Sequence, residues 1–412
     1  MSNKKILILG GNTAQVPLIQ AAKNEGYIVV LCDYTTTNPG IPLADIHYQQ
    51  DFMDREAVLA IAKKEKINGV ISNSEPAMQI VAYVSEQMNL VGNTEESILM
   101  LRDKGQFRDL LNRVGAFCPK HFTTSTFADA TEKAKELHFP IVIKPSRSSG
   151  SRGTTIVKNL EEWERIEVLW QECSAYSENK KVVIEEYIEM PSLDCVIDGD
   201  VFVTGDRVLY NGLFTSKRSA AAPNIPMTQI YPVMLDLRDL SKFENTLNKL
   251  FRETGIQHGE YNVEAYYNCQ HDLFFIEINV RQGGNGIPEM IQKHSGVDMY
   301  KLLVTTVMNE NYYLDTITNG AIENNFVLRQ PVFNHVKGVY KRLFISQEAI
   351  PYVKAIQEKK RSGVRIEIAK DARDCLALVD MEFTNREQQR KCADVIESMV
   401  YPIVEECNEG EL

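Results

Sequence analysis

The chain has 412 residues, 44% of them apolar and 25% charged, with a formal net charge of −11. That length supports two or three domains with a sizeable core. The acidic balance speaks against nucleic acid as a partner, because phosphate backbones are held by clustered Lys and Arg. No apolar run reaches the roughly 18 residues of a membrane span, and the opening "MSNKKILILGGN" reads as a first strand, not a signal peptide. Eight cysteines lie scattered without a C-x-x-C pair. They indicate neither a zinc knuckle nor a disulfide framework, and a reducing cytoplasm is the simplest home.

In chain order, "KKILILG", "YIVVLCD" and "INGVISNS" read as strands. They alternate with helices at "AQVPLIQAAKNEG", "DREAVLAIAKKEK" and "EPAMQIVAYVSEQMN". A βαβαβα run implies a parallel sheet over residues 1–92, whose strand ends point to Asn12, Asp33 and Glu75. The first turn lacks the G-x-G-x-x-G spacing, which disfavours a nicotinamide or flavin site. From residue 93 the pattern turns helical, with Thr94 as an N-cap. A helix is expected near "LEEWERIEVLWQECSAYSE", a strand-rich stretch from residue 181, and a helix at "GVDMYKLLVTTVMNE". A last unit over 315–412 has short strands at "VYKRLFI", "VRIEIA" and "CLALVDMEF" and a final helix at "NREQQRKCADVIESMVYPIVEE".

Three stretches carry chemistry. In "IVIKPSRSSGSRGTTIV" a buried strand ends at Lys144, and a loop of small residues follows with Arg147 and Arg152. It returns as a strand, so it is not a P-loop, but crowded backbone N–H groups suit a phosphate. In "VVIEEYIEMPSLD" an extended backbone could meet an adenine edge, with Asp194 a few residues on for ribose hydroxyls. The third is "YNVEAYY", joined through "NCQHD" to "LFFIEINV". A hairpin turn near Gln270 and His271 sets Glu264 nearly opposite Glu277, with Asn279 two residues further along the same face. Opposed carboxylates destabilise a bare sheet, and a cation between them reverses the sign. Mg²⁺, held by carboxylates and phosphates, fits that reversal.

The ordered set Lys104, "VIKPSRSSGSRG", "IEEYI", Glu264 and "EINVR" resembles the ATP-grasp superfamily of carboxylate–amine ligases over about residues 1–310. The resemblance implies an α/β chain with three parts. These are a parallel-sheet pre-grasp domain over 1–92, an α+β ATP-grasp domain over 93–314 with a mobile lid over about 118–186, and a small α+β unit over 315–412. It implies that Lys104 and Lys144 hold the nucleotide phosphates and that the hairpin of Ser149, Gly150 and Gly153 closes over them. Glu185, Glu186 and Ile188 become the adenine hinge, Asp194 stands where the family's ribose carboxylate is often a Glu, and Glu264, Glu277 and Asn279 match metal ligands. Arg281 matches the arginine that stabilises the transferring phosphoryl group, and Lys217 resembles a lysine that reaches the γ-phosphate. The implied cofactors are ATP and Mg²⁺, with Mn²⁺ as an alternative. The implied partners are a small carboxylate and a small amine, with a homodimer left open. After Arg281 the chain reads Gln282-Gly283-Gly284, unlike biotin carboxylases, and no biotin-carrier segment is present. The expected activity is ADP-forming ligation through an acyl phosphate. The alternatives are a phosphoribosylamine–glycine ligase, a carbamoyl-phosphate-synthase-like enzyme, or a nucleotide binder without turnover.

Overall fold

The computed structural model describes residues 3–148, 152–219, 222–310, 312–317, 325–370 and 374–406. The N-terminal strands β1 (Lys5–Leu9), β2 (Ile28–Asp33), β3 (Ile46–Gln49) and β4 (Gly69–Ile71) form a parallel sheet in the order β3-β2-β1-β4. β1 and β2 are near-continuous apolar runs because helices cover both faces, and Ile6 through Leu9 are fully buried. β3, "IHYQ", was not expected from the sequence. It has no apolar alternation and is fixed by pairing to β2 and by the Asp45 carboxylate, which accepts Val29 N–H at 2.8 Å. At the carboxyl ends of this sheet, Asp33 accepts Gly11 N–H at 2.7 Å and the Asn38 amide, so it anchors the turn. Glu75, in the short turn after β4, points instead toward the rest of the chain.

A separate four-stranded sheet, β5 (His121–Thr124), β6 (Ile141–Pro145), β7 (Thr155–Val157) and β8 (Val182–Glu186), runs in the order β5-β8-β6-β7. It packs on Trp163, Trp170 and the helix Phe127–Ala134. The single helix expected near residue 160 is two pieces, Leu160–Trp163 and Glu167–Tyr176, with Trp163 and Trp170 both turned into this core.

The largest sheet joins β9 (Val196–Thr204), β10 (Arg207–Ser219), β11 (Ala222–Tyr231), β12 (His258–Tyr267), β13 (Leu273–Asn279) and β14 (Phe326–Val332). Beyond β14, the strand β15 (Gly338–Ile345) belongs to a small sheet, while β16 (Val353–Glu358) returns to the large one. β17 (Arg365–Ile366) joins β15, β18 (Ala377–Phe383) joins β14, and β19 (Val400–Glu406) closes the small sheet. The large sheet therefore reads β13-β12-β9-β10-β11-β14-β18-β16 and continues across the boundary expected at residue 315. The final helix ends at Met399 and "VYPIVEE" is strand, not helix; Pro402 cannot donate within a helix, and β19 pairs antiparallel with β15. The described cysteines are free thiols, and no described helix is long and apolar enough to cross a membrane.

The apolar face of β12 and β13 rests on the helix Leu237–Thr254, where Phe275 stacks on Phe243 with ring centroids 5.4 Å apart. This packing fixes the strand that carries Glu277. Phe275→Ala should cost about 3–5 kcal/mol of unfolding free energy, because both rings are fully buried. A urea titration checks this, and an unchanged midpoint would show that the strand is held some other way.

Candidate active site

Strand alternation puts Glu264 on β12 and Glu277 and Asn279 on β13 onto one face of the large sheet. Glu264 and Glu277 are direct register partners, as are Asn262 and Asn279. On the other side β9 places Asp198 opposite Glu264 and Asp200 opposite Asn262. Like charges so placed need compensation. Arg218 Nη2 donates to Glu264 Oε2 at 2.9 Å, and Lys104 Nζ lies 3.4 Å from Glu277 Oε2. The Asn279 amide donates to Glu277 Oε1 at 3.1 Å. Burial pushes the Glu277 carboxyl up, but Lys104 and the Asn279 hydrogen bond outweigh it and hold it below its ordinary value. Glu264 is raised, chiefly by burial and despite Arg218, with the charge on Glu277 adding to the rise. Burial and then the Glu264 charge push Asp198 up to about 8.

Beside this face lies a second buried group. Arg108 Nε and Nη2 donate to the two oxygens of Glu185 at 2.7 and 3.3 Å, and Lys144 Nζ donates to Glu185 Oε1 at 2.5 Å. Arg108 also donates to the carbonyls of Phe275 and Ile276, which ties β8 to β13. Burial and the Arg108 charge lower the Lys144 ammonium to about 8. Burial alone would raise Glu185, but Arg108 and Lys144 hold it at about 2.

The loop after β6 is stitched to the helix Lys104–Arg113 through that helix's N-cap, Asp103. Its carboxylate accepts from Ser146 Oγ at 2.8 Å, Arg147 Nε at 2.8 Å and Asn179 Nδ2 at 3.0 Å. Lys104 Nζ donates to Ser148 O at 3.0 Å, so this lysine touches both the loop and Glu277. Ser149 and Gly150 lie outside the described residues. Gly153 has φ +73°, and a Cβ there would meet Tyr176 at 2.9 Å, so the return of the hairpin requires glycine. Arg281, past the end of β13, faces Glu75 of the N-terminal unit at 3.5 Å and donates to Gln282 O at 2.7 Å. Arg102 bridges the same Glu75 at 3.1 Å to Glu178 at 2.8 Å.

These strands and their polar face fall within residues 137–289, which match the family description "ATP-grasp domain". The chain carries an ATP-grasp domain. Residues 6–94 match "PylC-like, N-terminal domain". The chain is similar to the carbamoyl phosphate synthase large chain of Vibrio vulnificus, 24% identical over 361 residues that cover 82% of this chain and 32% of that protein. It thus spans about a third of the length of such curated relatives. The fold is shared with L-amino acid ligase from Bacillus licheniformis (TM-score 0.78, 18% identity, 98% of this chain and all of that one). It is also shared with phosphoribosylglycinamide synthetase from Anaerococcus prevotii (TM-score 0.73, 20% identity, 98% and 100% covered).

The structure brings Lys104, Glu264, Glu277 and Asn279 together on one sheet face, with Lys144 paired to Glu185 beside it. It does not bring Lys217 there. Lys217 and Arg218 alternate on β10, and Lys217 Nζ donates to Ala393 O at 2.9 Å on the helix Arg386–Met399. Arg218, not singled out in the sequence, is the residue that reaches Glu264. Both pair with β11, and a register shift falls between them, so their adjacency in the sequence does not say which one reaches the carboxylates. Glu185 and Glu186 turn their carboxylates away from an adenine role, toward Arg108 and Lys144 and toward His138. At the same stretch Ile188 O accepts Tyr266 Oη at 2.6 Å. Asp194 is exposed in the turn before β9.

The low value of Glu185 fixes a pH dependence. Its ionised form in the fold contributes stability that is complete above about 4.5 and is lost as pH falls toward about 2. Wild type should therefore lose more stability across that window than Glu185→Gln. Chemical denaturation at stepped pH measures this, and parallel curves would refute it.

Proposed function

We propose that the chain is an ADP-forming carboxylate–amine ligase that works on small molecules in a reducing cytosol. The observation that carries this reading is the in-register pair Glu264 and Glu277, bracketed by Arg218 and Lys104, with buried Lys144 paired to Glu185 beside them. In the proposed reaction a carboxylate oxygen attacks the γ-phosphorus of ATP. The β–γ bridging P–O bond breaks, ADP leaves, and an acyl phosphate forms. The amine then attacks the acyl carbon, the C–O bond to phosphate breaks, and an amide and phosphate result. The residues contribute position and charge. Lys104 and Lys144 are assigned to the phosphates, and Arg281 to the transferring group. The hinge role is assigned to the backbone of residues 185–188, since the side chains are already engaged. The ribose role of Asp194 and the closing of the hairpin around Gly153 belong to the same proposal.

The donor set fits a divalent cation. Among the described residues no group of three His, Cys, Asp or Glu could hold a metal, so two carboxylates and an amide leave the remaining positions to phosphate oxygens. Mg²⁺ held by Glu264, Glu277 and Asn279, or Mn²⁺ in the same oxygen set, would neutralise phosphate charge. Meanwhile the cation would replace part of the compensation that Arg218 and Lys104 now give, freeing both side chains.

The similarity to carbamoyl phosphate synthase and to phosphoribosylglycinamide synthetase keeps a second reading open: the same phosphoryl chemistry with bicarbonate or glycine as the carboxylate. A matrix of carboxylates and amines assayed for phosphate release separates the readings. Phosphate release with no pair would leave only a nucleotide binder.

Two further outcomes are expected. Lys144 sits near 8 without nucleotide, so above that pH ATP must bind a lysine that has lost its proton. Affinity should fall by up to about tenfold per pH unit, while Lys144→Arg stays flat because guanidinium keeps its charge. Titrations from pH 7 to 9.5 test this, and parallel profiles would contradict the contact. Secondly, Arg281→Ala should lower turnover by about a hundredfold with little change in ATP affinity, since its charge counts most when negative charge develops. Excess Mg²⁺ should partly rescue Glu277→Gln but not Arg281→Ala. Wild-type turnover in Arg281→Ala would exclude the acyl-phosphate route assigned to it.

A further inference from the structure

The chain between β13 and the helix Ile287–Ser295 has to turn sharply just after Arg281. It does so with Asn285 and Gly286 both in the left-handed region, at φ 53° and 72°. Gly286 caps the helix that follows, its carbonyl accepting Met290 N–H at 3.2 Å, and a further donor reaches the carbonyls of both Asn285 and Gly286. Both are taken by one side chain: Arg329 Nη1, from β14, donates to Asn285 O at 2.8 Å and Gly286 O at 2.7 Å. The rest of that guanidinium is committed to Asp380 on β18, at 2.6 Å from Nε and 3.0 Å from Nη2. Asp380 also takes Lys293 Nζ, from the helix that the turn begins. The turn is gripped from its other side as well. Both oxygens of fully buried Asp200 accept Gly283 N–H, at 3.0 and 2.9 Å. There is no slack in either contact. A Cβ at Gly286 would lie 2.1 Å from Arg329 Nη1, and one at Gly283 would lie 2.8 Å from Asp200 Oδ1. Arg281 is referenced to this turn directly, through its hydrogen bond to Gln282 O at 2.7 Å.

We infer that Arg329, braced by Asp380, is a positioning residue for Arg281: it fixes the turn 282–286 and thereby the guanidinium assigned to the transferring phosphoryl group. The inference rests on the ligase reading for its effect on turnover, but not for the clamp itself. It gives the C-terminal strands β14 and β18 a part in the reaction, since they supply both members of the brace. Lys104 and Lys144 sit on the helix Lys104–Arg113 and on β6, outside the clamp, so nucleotide affinity should be spared.

The test uses Arg329→Ala, Arg329→Lys and Asp380→Asn in the full chain. Lysine keeps the charge but cannot span two carbonyls and two carboxylate oxygens at once. Expected are a fall in kcat of about tenfold or more and an ATP Kd within about threefold of wild type. Added guanidinium should restore most of the kcat of Arg329→Ala, whereas methylammonium should not. Hydrogen exchange on the nucleotide-free proteins supplies a readout independent of turnover: the amides of 282–286 should exchange faster in every variant, with those of β6 unchanged. Wild-type kcat in a folded Arg329→Ala, or a parallel loss of kcat and ATP affinity without guanidinium rescue, would overturn the positioning role. Should no substrate pair turn over, unchanged exchange at 282–286 in Arg329→Lys and Asp380→Asn would still overturn the clamp, while faster exchange there would uphold it with the ligase reading alone rejected.

Discussion

Glu264 and Glu277 stand opposite each other on adjacent antiparallel strands, with Asp198 beside them one strand further in. Carboxylates at that spacing repel, and partial burial strengthens the repulsion because little water remains to screen it. The arrangement persists because the fold pays it back with cations drawn from distant parts of the chain. Arg218 comes from β10, and Lys104 comes from the first turn of a helix whose N-cap is bound to the loop after β6. Each of those partners is itself a group that a phosphate could claim. On the proposed reading, such a site would exchange internal ion pairs for pairs with a metal and a nucleotide, so that binding need not strip a charge of all its partners.

The same logic explains why buried charge is concentrated where the units meet. Arg108 joins Glu185 of the smaller sheet to the backbone of β13, so the two sheets share one buried guanidinium. Glu75 from the N-terminal unit faces Arg281 and Arg102, and Arg102 reaches Glu178 next to the smaller sheet. Arg108 grips Glu185 with two nitrogens and Arg102 bridges two carboxylates, uses that suit the forked guanidinium. Apolar packing also crosses the units, since one core cluster runs from Ile6, Ile8 and Leu18 to Phe214, Met290 and Leu302, and these arginines add directional contacts at the junctions.

Much of this was legible in the sequence where one physical rule decides the outcome. Alternation along "LFFIEINV" and the hairpin signal "NCQHD" set Glu264 nearly opposite Glu277, but the direct pairing comes from a one-residue register shift between Glu264 and Ala265 that the sequence did not announce. The apolar runs of β1, β2 and β4 likewise announced a parallel sheet. What escaped depends on long-range pairing. Lys217 and Arg218 are adjacent cations, and the pairing of β10 with β11, irregular between the two, sets which one faces the carboxylates. β3 carries no apolar pattern because its pairing partner and Asp45 define it. Arg108 gave no signal at all within an amphipathic helix, since its partners lie on β8 and β13. The extension of the large sheet by β14, β18 and β16 was hidden for the same reason.

The central claim is that a carboxylate oxygen attacks ATP and leaves with the phosphate. Isotope transfer tests it most directly. A carboxylate substrate labelled with ¹⁸O on both oxygens, turned over with ATP and its matched amine, should deliver one labelled oxygen to each phosphate released, with ADP as the other nucleotide product. Phosphate free of label, or release of AMP and pyrophosphate, would contradict the acyl-phosphate route.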